Sequence, residues 1–272
     1  MRWINTRPSP GTRLFLGIAP FAAVLIAYMI GSAARLAENA SDKLLPSFAG
    51  FADAIDRMAL VADPRTGDYL LWMDTSTSLI RLFSGIGIAT IIALVIGMLI
   101  GMLPYMRALL APFVAAISMI PPLALLPILF IALGLGETSK IALIAIGVTP
   151  IMIRDLAMTT SALPREQIIK AETLGGSSWL IGLRIILPQI LPRLINTLRL
   201  QLGPAWLFLI AAEAISSEAG LGYRIFLVRR YLAMDVIFPY VAWITLLAVM
   251  TDLLLDRLRS SVFPWSNVER QA

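Results

Sequence analysis

The sequence predicts an all-α polytopic membrane protein with about six transmembrane helices, and three observations predict it. Of 272 residues, 58% are hydrophobic and only 14% charged, against about 25% charged in a soluble domain. Mean hydropathy is +0.83. The apolar residues gather in runs that reach the roughly 20 helical residues needed to cross a hydrocarbon core. A lipid-embedded backbone must satisfy its own polar groups, so these runs are read as helices. The chain contains neither Cys nor His, which excludes disulfides, thiol nucleophiles, the common zinc ligand sets and a Ser-His-Asp triad. A net charge of +5 is assigned to basic residues flanking the cytoplasmic ends of spans rather than to nucleic-acid binding.

Taken in order, residues 1–13 form a cytoplasmic N-terminus carrying Arg2, Arg7 and Arg13. A charge-free run of 21 residues, Leu14–Ala34, follows. It exceeds a signal-peptide core of about 7–15 residues and is read as an uncleaved first span. Residues 35–77 are polar, periplasmic and rich in Asp, with Leu45, Phe48, Phe51, Ile55 and Met58 at helical spacing. That spacing predicts a short amphipathic helix on the membrane surface or on the bundle. The stretch Asp63-Pro64-Arg65-Thr66-Gly67-Asp68 is a turn. Five further spans are expected at about 80–104, 108–133, 139–160, 196–217 and 236–256, within a core domain of residues 78–258 that a cytoplasmic tail, 259–272, follows. Pro121-Pro122 should bend the third span. Gly134–Lys140 forms a tight exterior loop.

An even number of spans places both termini on one side. Taking that side as cytoplasmic assigns to it 13 of the 22 basic residues, including Arg107, Arg154 and Arg193, as the positive-inside rule asks. Charges at Arg154-Asp155, Glu213, Asp252 and Asp256 interrupt the later spans. Intramembrane charge is costly and faces a bundle interior or a wet cavity.

Segment 164–193 is too charged to span and too apolar for an idle loop. Pro164 opens a helix, Gly175-Gly176 breaks it, Ser177 caps a second short helix and Pro188 closes it near Leu187. Two short helices bent at glycine form a rigid cytoplasmic knob. The spacing of Gly175, nine residues, Ile185, one residue, then Leu187-Pro188 resembles the coupling loop of ABC importer permeases. Thr173-Leu174 and Trp179 add to the likeness. Where the family has Glu-Ala-Ala this chain has Ile169-Lys170-Ala171, and only Ala171 matches. Leu45-Pro46-Ser47, Ile120-Pro121-Pro122-Leu123-Ala124 and Ala212-Glu213 with Ala219-Gly220-Leu221-Gly222-Tyr223 are similar to the nitrate, taurine and sulfonate type, over residues 44–258.

The resemblance implies the fold of type I importer permeases and no catalytic residue or metal site in this chain. It implies that Lys170, Ala171, Gly175, Ile185, Leu187 and Pro188 belong to a loop that docks on a separate ATPase, which binds ATP and Mg. No Gly-x-x-x-x-Gly-Lys-Ser/Thr occurs here, so the chain cannot cradle nucleotide itself. The implied assembly has two ATPase subunits, a second copy of the permease and a periplasmic solute-binding protein, in a bacterial inner membrane. The implied cargo is a small polar solute: nitrate, a sulfonate such as taurine, a phosphonate or a urea-like nitrogen compound.

Candidates for the translocation path are Met119, Pro121 and Pro122 at the bend, and Trp206, Glu213 and Ser217, which share a helical face with Ile210. Each has a second reading. Glu213 is a path residue or a structural carboxylate paired with Arg. Pro121-Pro122 is a constriction or a packing kink. Arg154 and Asp155 form an ion pair or serve different partners. Arg224, Arg229 and Arg230 attract anions or the binding protein, or snorkel. The rival function is an ion-coupled carrier using Glu213 and Asp252, which would leave the knob unexplained; a membrane enzyme ranks behind it.

Overall fold

The computed structural model describes residues 8–39, 42–64 and 67–266; Arg2, Arg7, Arg65, Thr66 and Arg270 lie outside the described residues. Among the described residues the chain is helical without strands. Five helices are long and apolar enough to cross a membrane, and one sharply bent pair makes a sixth crossing.

The spine is the pair α3 (Leu70–Met102) and α6 (Glu137–Ser161). A stripe of small residues on α3, Gly85, Ala89, Ala93, Gly97 and Gly101, is fully buried. A Cβ added to Gly85 would sit 2.7 Å from Ile144 Cβ, one on Gly97 2.8 Å from Leu156 Cβ, and one on Gly101 2.3 Å from Thr160 Cβ. The offset between partners is constant, so the two helices run parallel in close backbone approach. Between helices in lipid, where no hydrophobic force favours association, such small-residue seams supply the packing.

The return crossing between α3 and α6 is broken. Helix α4 (Pro104–Ile117) stops at Ser118, whose hydroxyl donates back to the Ala115 carbonyl at 2.8 Å. A 3-10 turn (Pro122–Leu125) then leads into α5 (Leu126–Leu133), and the two halves meet at 83°. The expected third span at 108–133 is therefore two short helices rather than one kinked helix. At about 1.5 Å per residue neither half alone crosses a core of about 30 Å. Pro121 and Pro122 remove two consecutive donors, so the helical ladder cannot bridge them.

Helix α1 (Pro10–Glu38), capped by Ser9, lies outside the bundle with its apolar side chains exposed. Its far end is tied down by Tyr28 and Ser32, whose hydroxyls donate to the carbonyls of Pro46 (2.6 Å) and Leu45 (2.9 Å). In the connection that follows, the Leu44 backbone N–H and the Arg35 guanidinium hold the Asp42 carboxyl below its ordinary range. The amphipathic helix forms as α2 (Phe48–Ala59). It docks on the bundle through Phe51, edge-on to Phe238 of α11 (Met234–Val262) at 5.9 Å between centroids. Across the turn that follows α2, the Gly67 N–H donates to the Asp63 carbonyl at 2.8 Å.

Three boundaries differ from expectation. Helix α3 begins at Leu70, ten residues before the expected 80. Helix α9 (Leu187–Ser216) begins nine residues before the expected 196. Pro188 does not close the second knob helix. Helix α8 (Ser178–Ile181) passes through a π-turn (Gly182–Ile186) directly into α9. Within the π-turn the Leu187 N–H reaches the carbonyl of Gly182, and the helix runs on through Pro188, the second residue of α9.

Candidate functional site

Three layers stack along the bundle: a charged outer end, a groove at mid-depth, and the knob at the opposite end.

At the outer end three carboxylates meet three cations. Asp74, Ser78 and Arg81 follow each other at helical spacing on α3, and all are buried. Arg81 donates to Glu213 of α9 at 2.7 Å, to the Ala219 carbonyl at 2.8 Å, and to both oxygens of Glu137 on α6. Lys140 also reaches Glu137, at 3.0 Å. Glu213, with no exposed surface, accepts from Ser78 Oγ at 2.7 Å and from the Gly222 N–H at 2.8 Å. Asp74 accepts from Gly220 N–H (2.9 Å), Arg224 Nε (2.8 Å) and the Tyr240 hydroxyl (3.1 Å).

The N–H groups of Gly220, Leu221 and Gly222 thus all donate into this cluster from the start of α10 (Leu221–Val228). That orientation suits carboxylates at a helix N-terminus. Gly220 is obligatory. Its φ is +131°, and a Cβ there would fall 2.5 Å from Glu213 Oε1. Charges balance within the cluster, so burying it is tolerable.

Two of the residues with alternative readings have their partners here. The Glu213 carboxylate accepts from Arg81 and Ser78 of a neighbouring helix and from the Gly222 N–H, and Trp206 on the same face is buried as well. Arg224 is paired with Asp74 rather than free for an anion, whereas Arg229 stacks on the Phe226 ring at 4.9 Å and stays exposed.

At mid-depth a groove of about 390 Å³ opens between the break in the third span and the facing sides of α6 and α9. Ser118, Ile120 and Pro122 form one wall, Ile146 and Pro150 the second, and Gly203, Pro204 and Leu207 the third. Each wall carries a helix-breaking residue. Pro150 cannot donate to the Ile146 carbonyl, nor Pro204 to that of Leu200. Helices in lipid tolerate such freed carbonyls where they line a cavity. Met119 projects beside this wall, 77% exposed. Of the expected path residues, Pro122 lines the groove, while Met119 and Pro121 are its chain neighbours in the break and do not line it. Trp206, Glu213 and Ser217 do not line it; Ser217 ends α9 at the outer end.

Below the groove, Arg154 and Asp155 serve different partners. Asp155 binds Arg193 and Thr197 of α9, and Arg154 donates to Ser118 at 2.9 Å. Arg199 clamps Asp252 through two bonds of 2.7 and 2.8 Å and also meets Asp256. The two carboxylates that an ion-coupled carrier would need, Glu213 and Asp252, are each held by a guanidinium.

The knob comprises α7 (Arg165–Thr173), a glycine bend and α8. Gly175 turns with φ +83° and open space around it. Ser177 caps α8, accepting from the Leu180 N–H at 3.3 Å. Ile181, Ile186 and Ile190 are buried against Leu94, Met98 and Met102 at the end of α3, and Gln189 bonds Gln167 of α7 at 3.0 Å. Inner faces fasten the knob to the bundle, while Leu174 and Trp179 stand 81% and 71% exposed on its outer surface. Lys170 is exposed as well; Ala171 and Ile185 pack inward. Helix α8 continues through the π-turn into α9, whose Gly203, Pro204 and Leu207 form one wall of the groove.

The sequence reading passed over Asp74, Ser78 and Arg81 of the outer cluster; their i, i+4, i+7 spacing on one helical face was the available signal.

Residues 73–265 match the family described as binding-protein-dependent transport system inner membrane component. The chain is 33% identical over 213 residues to the taurine transport system permease protein of Escherichia coli (strain K12), covering 78% of this chain and 77% of that one. It is 30% identical over 254 residues to a permease protein named for aliphatic sulfonates transport in the same organism, covering 92% and 94%. A bicarbonate transport system permease protein of Synechococcus elongatus is 33% identical over 157 residues, 57% of this chain and 56% of that one. Among solved structures, the MetNI methionine ABC transporter in an inward-facing form has a chain that superposes with a TM-score of 0.63 at 21% identity, over 74% of this chain and 99% of that one.

Proposed function

The chain belongs to the family of binding-protein-dependent transport system inner membrane components, and from that membership we propose that it is the membrane-spanning permease of an ATP-driven importer for a small oxyanion-bearing solute, with a sulfonate such as taurine the first candidate. The observation that carries this reading is the knob at 165–188, exposed on one side, anchored on the other and continuous with the groove-lining helix α9. In the proposed mechanism the knob, with Lys170, Gly175 and its Ile185–Pro188 exit, seats on an ATPase subunit that binds ATP and Mg. Two ATPases closing on nucleotide push two copies of the knob. The motion passes through the π-turn into α9, and the groove at Met119–Pro122 changes width against Gly203-Pro204. A periplasmic binding protein delivers the solute to the outer end, and both termini face the cytoplasm of a bacterial cell. No covalent chemistry takes place in this chain.

The relatives named for taurine, aliphatic sulfonates and bicarbonate support the oxyanion class. Saturation of Glu213 and Asp252 argues against an ion-coupled carrier. Uptake in proteoliposomes holding the chain, its ATPase and its binding protein tests the reading. Uptake should stop on ATP depletion and continue when ion gradients are collapsed; the opposite pattern would refute it.

A further inference from the structure

Several arginines of the bundle meet a carboxylate: Arg81, Arg193, Arg199, Arg224 and Arg259 all do. Arg107 and Arg154 do not, among the described residues. Both line one cavity of about 320 Å³ between α4 and the α3–α6 pair, at the knob end of the bundle, and no carboxylate lines it. Arg107 uses two donors on the carbonyls of Ile100 (3.2 Å) and Gly101 (2.8 Å). Arg154 uses one on Ser118 Oγ at 2.9 Å. A guanidinium carries five N–H donors, so both retain several for a ligand.

The cavity does not end in polar surroundings. Through Val114 and Ile153, which it shares, it continues into a second groove of about 310 Å³ walled by Ile92, Ile96 and Phe113 with almost no polar surface. The cleft is thus cationic at the end where α3 turns into α4 and apolar toward mid-membrane. Phe113 at 61% and Met158 at 70% exposure leave its side open to the bilayer. A free anion would use only the first half of such a cleft. A molecule with an anionic head and a hydrocarbon tail uses both, and basic pockets between helices at the cytoplasmic side suit anionic lipid headgroups.

We propose that this cleft holds one anionic phospholipid, its phosphate on Arg107 and Arg154 and an acyl chain along Ile92, Ile96 and Phe113. The lipid would wedge α4 against the α3–α6 spine beside the broken span, at the foot of the groove.

The test is lipid retention by the full-length chain in detergent, read by native mass spectrometry after addition of phosphatidylglycerol or phosphatidylcholine with identical acyl chains. Wild type should retain one phosphatidylglycerol in preference to phosphatidylcholine. Arg154→Gln should reduce that preference about five-fold, the effect of one basic residue near a phosphate, and Arg107→Gln/Arg154→Gln should abolish it. Ile96→Trp, which fills the tail groove and keeps both arginines, should lower retention of both lipids. Because Arg107 also caps α3, the decisive variant is Arg154→Gln, whose only described bond is to Ser118. Equal retention of the two lipids, or a preference untouched by Arg154→Gln, overturns the proposal. So does displacement of phosphatidylglycerol by inorganic phosphate alone, which would mark a free-anion site. Retention of no lipid also overturns it.

Discussion

At the scale of single residues, the buried cluster around Arg81 decides how the outer end holds together. Arg81 bridges α3 to Glu137 of α6 and Glu213 of α9, so Arg81→Met strands Glu213 in a site with no exposure. Removing one partner of a buried pair costs about 3–5 kcal/mol. Thermal unfolding of the purified chain in detergent should show a loss of that order, whereas Arg229→Met, on an exposed cation, should leave the transition unchanged. Gly101 makes a second prediction. A Cβ there would lie 2.3 Å from Thr160 Cβ, so Gly101→Val should destabilise by about 1–3 kcal/mol through overpacking in the same measurement. Gly87, on the same helix with nothing within 4 Å, should accept Val without a comparable loss.

At the scale of elements, the knob and the broken span matter most. Ser177→Ala removes the cap on α8, worth about 1 kcal/mol. Hydrogen exchange should rise at residues 178–181 and stay unchanged at the α3–α6 seam; a uniform rise would mean that the knob is no separate unit. The same elements show what the sequence made legible. Pro164, Gly175-Gly176 and Ser177 are local signals, and the helices start and stop where those residues act alone. Pro188 misled because its effect depends on a neighbour: Gly182 lets the preceding turn widen to a π-turn, which no local propensity announces. The start of α3 was hidden for a related reason. Asp74 and Arg81 break the apolar run, and the partners that neutralise them, Arg224 for Asp74 and Glu137 and Glu213 for Arg81, lie 150, 56 and 132 residues away in sequence. The Trp206–Glu213 stripe was visible as a face, but its direction was not, since pairing with Arg81 rather than periodicity turns it inward. The small-residue seam was legible in principle, as a repeat of Gly or Ala every fourth position from Gly85 to Gly101.

At the scale of the whole molecule, rigid parts and compliant parts are segregated. The α3–α6 seam and the outer charge cluster form a fixed frame. The knob-proximal half of helix α9 is tied to α6 through Arg193–Asp155 and to α11 through Arg199–Asp252 by ion pairs that are partly exposed, weaker ties than the buried cluster that holds its other half. Gly203-Pro204 separates that half from the half held by Glu213. Pro204→Ala restores the missing N–H and should stiffen α9. The protein should remain folded, with ATPase binding intact, while solute uptake falls; unchanged uptake would show that flexing at residue 204 plays no part.

The central claim is that the 165–188 knob couples this chain to an ATPase. Co-purification of the full-length chain with its cognate ATPase subunit, for wild type and Gly175→Arg, tests it most directly. Gly175 has φ +83° and open space around it, so the substitution meets no clash inside the bundle but strains the bend itself by about 1–2 kcal/mol. The account predicts that wild type retains the ATPase and that Gly175→Arg loses it while remaining folded, with a transition lowered by no more than that local strain. A wild-type chain that purifies without an ATPase and still transports solute would contradict the account.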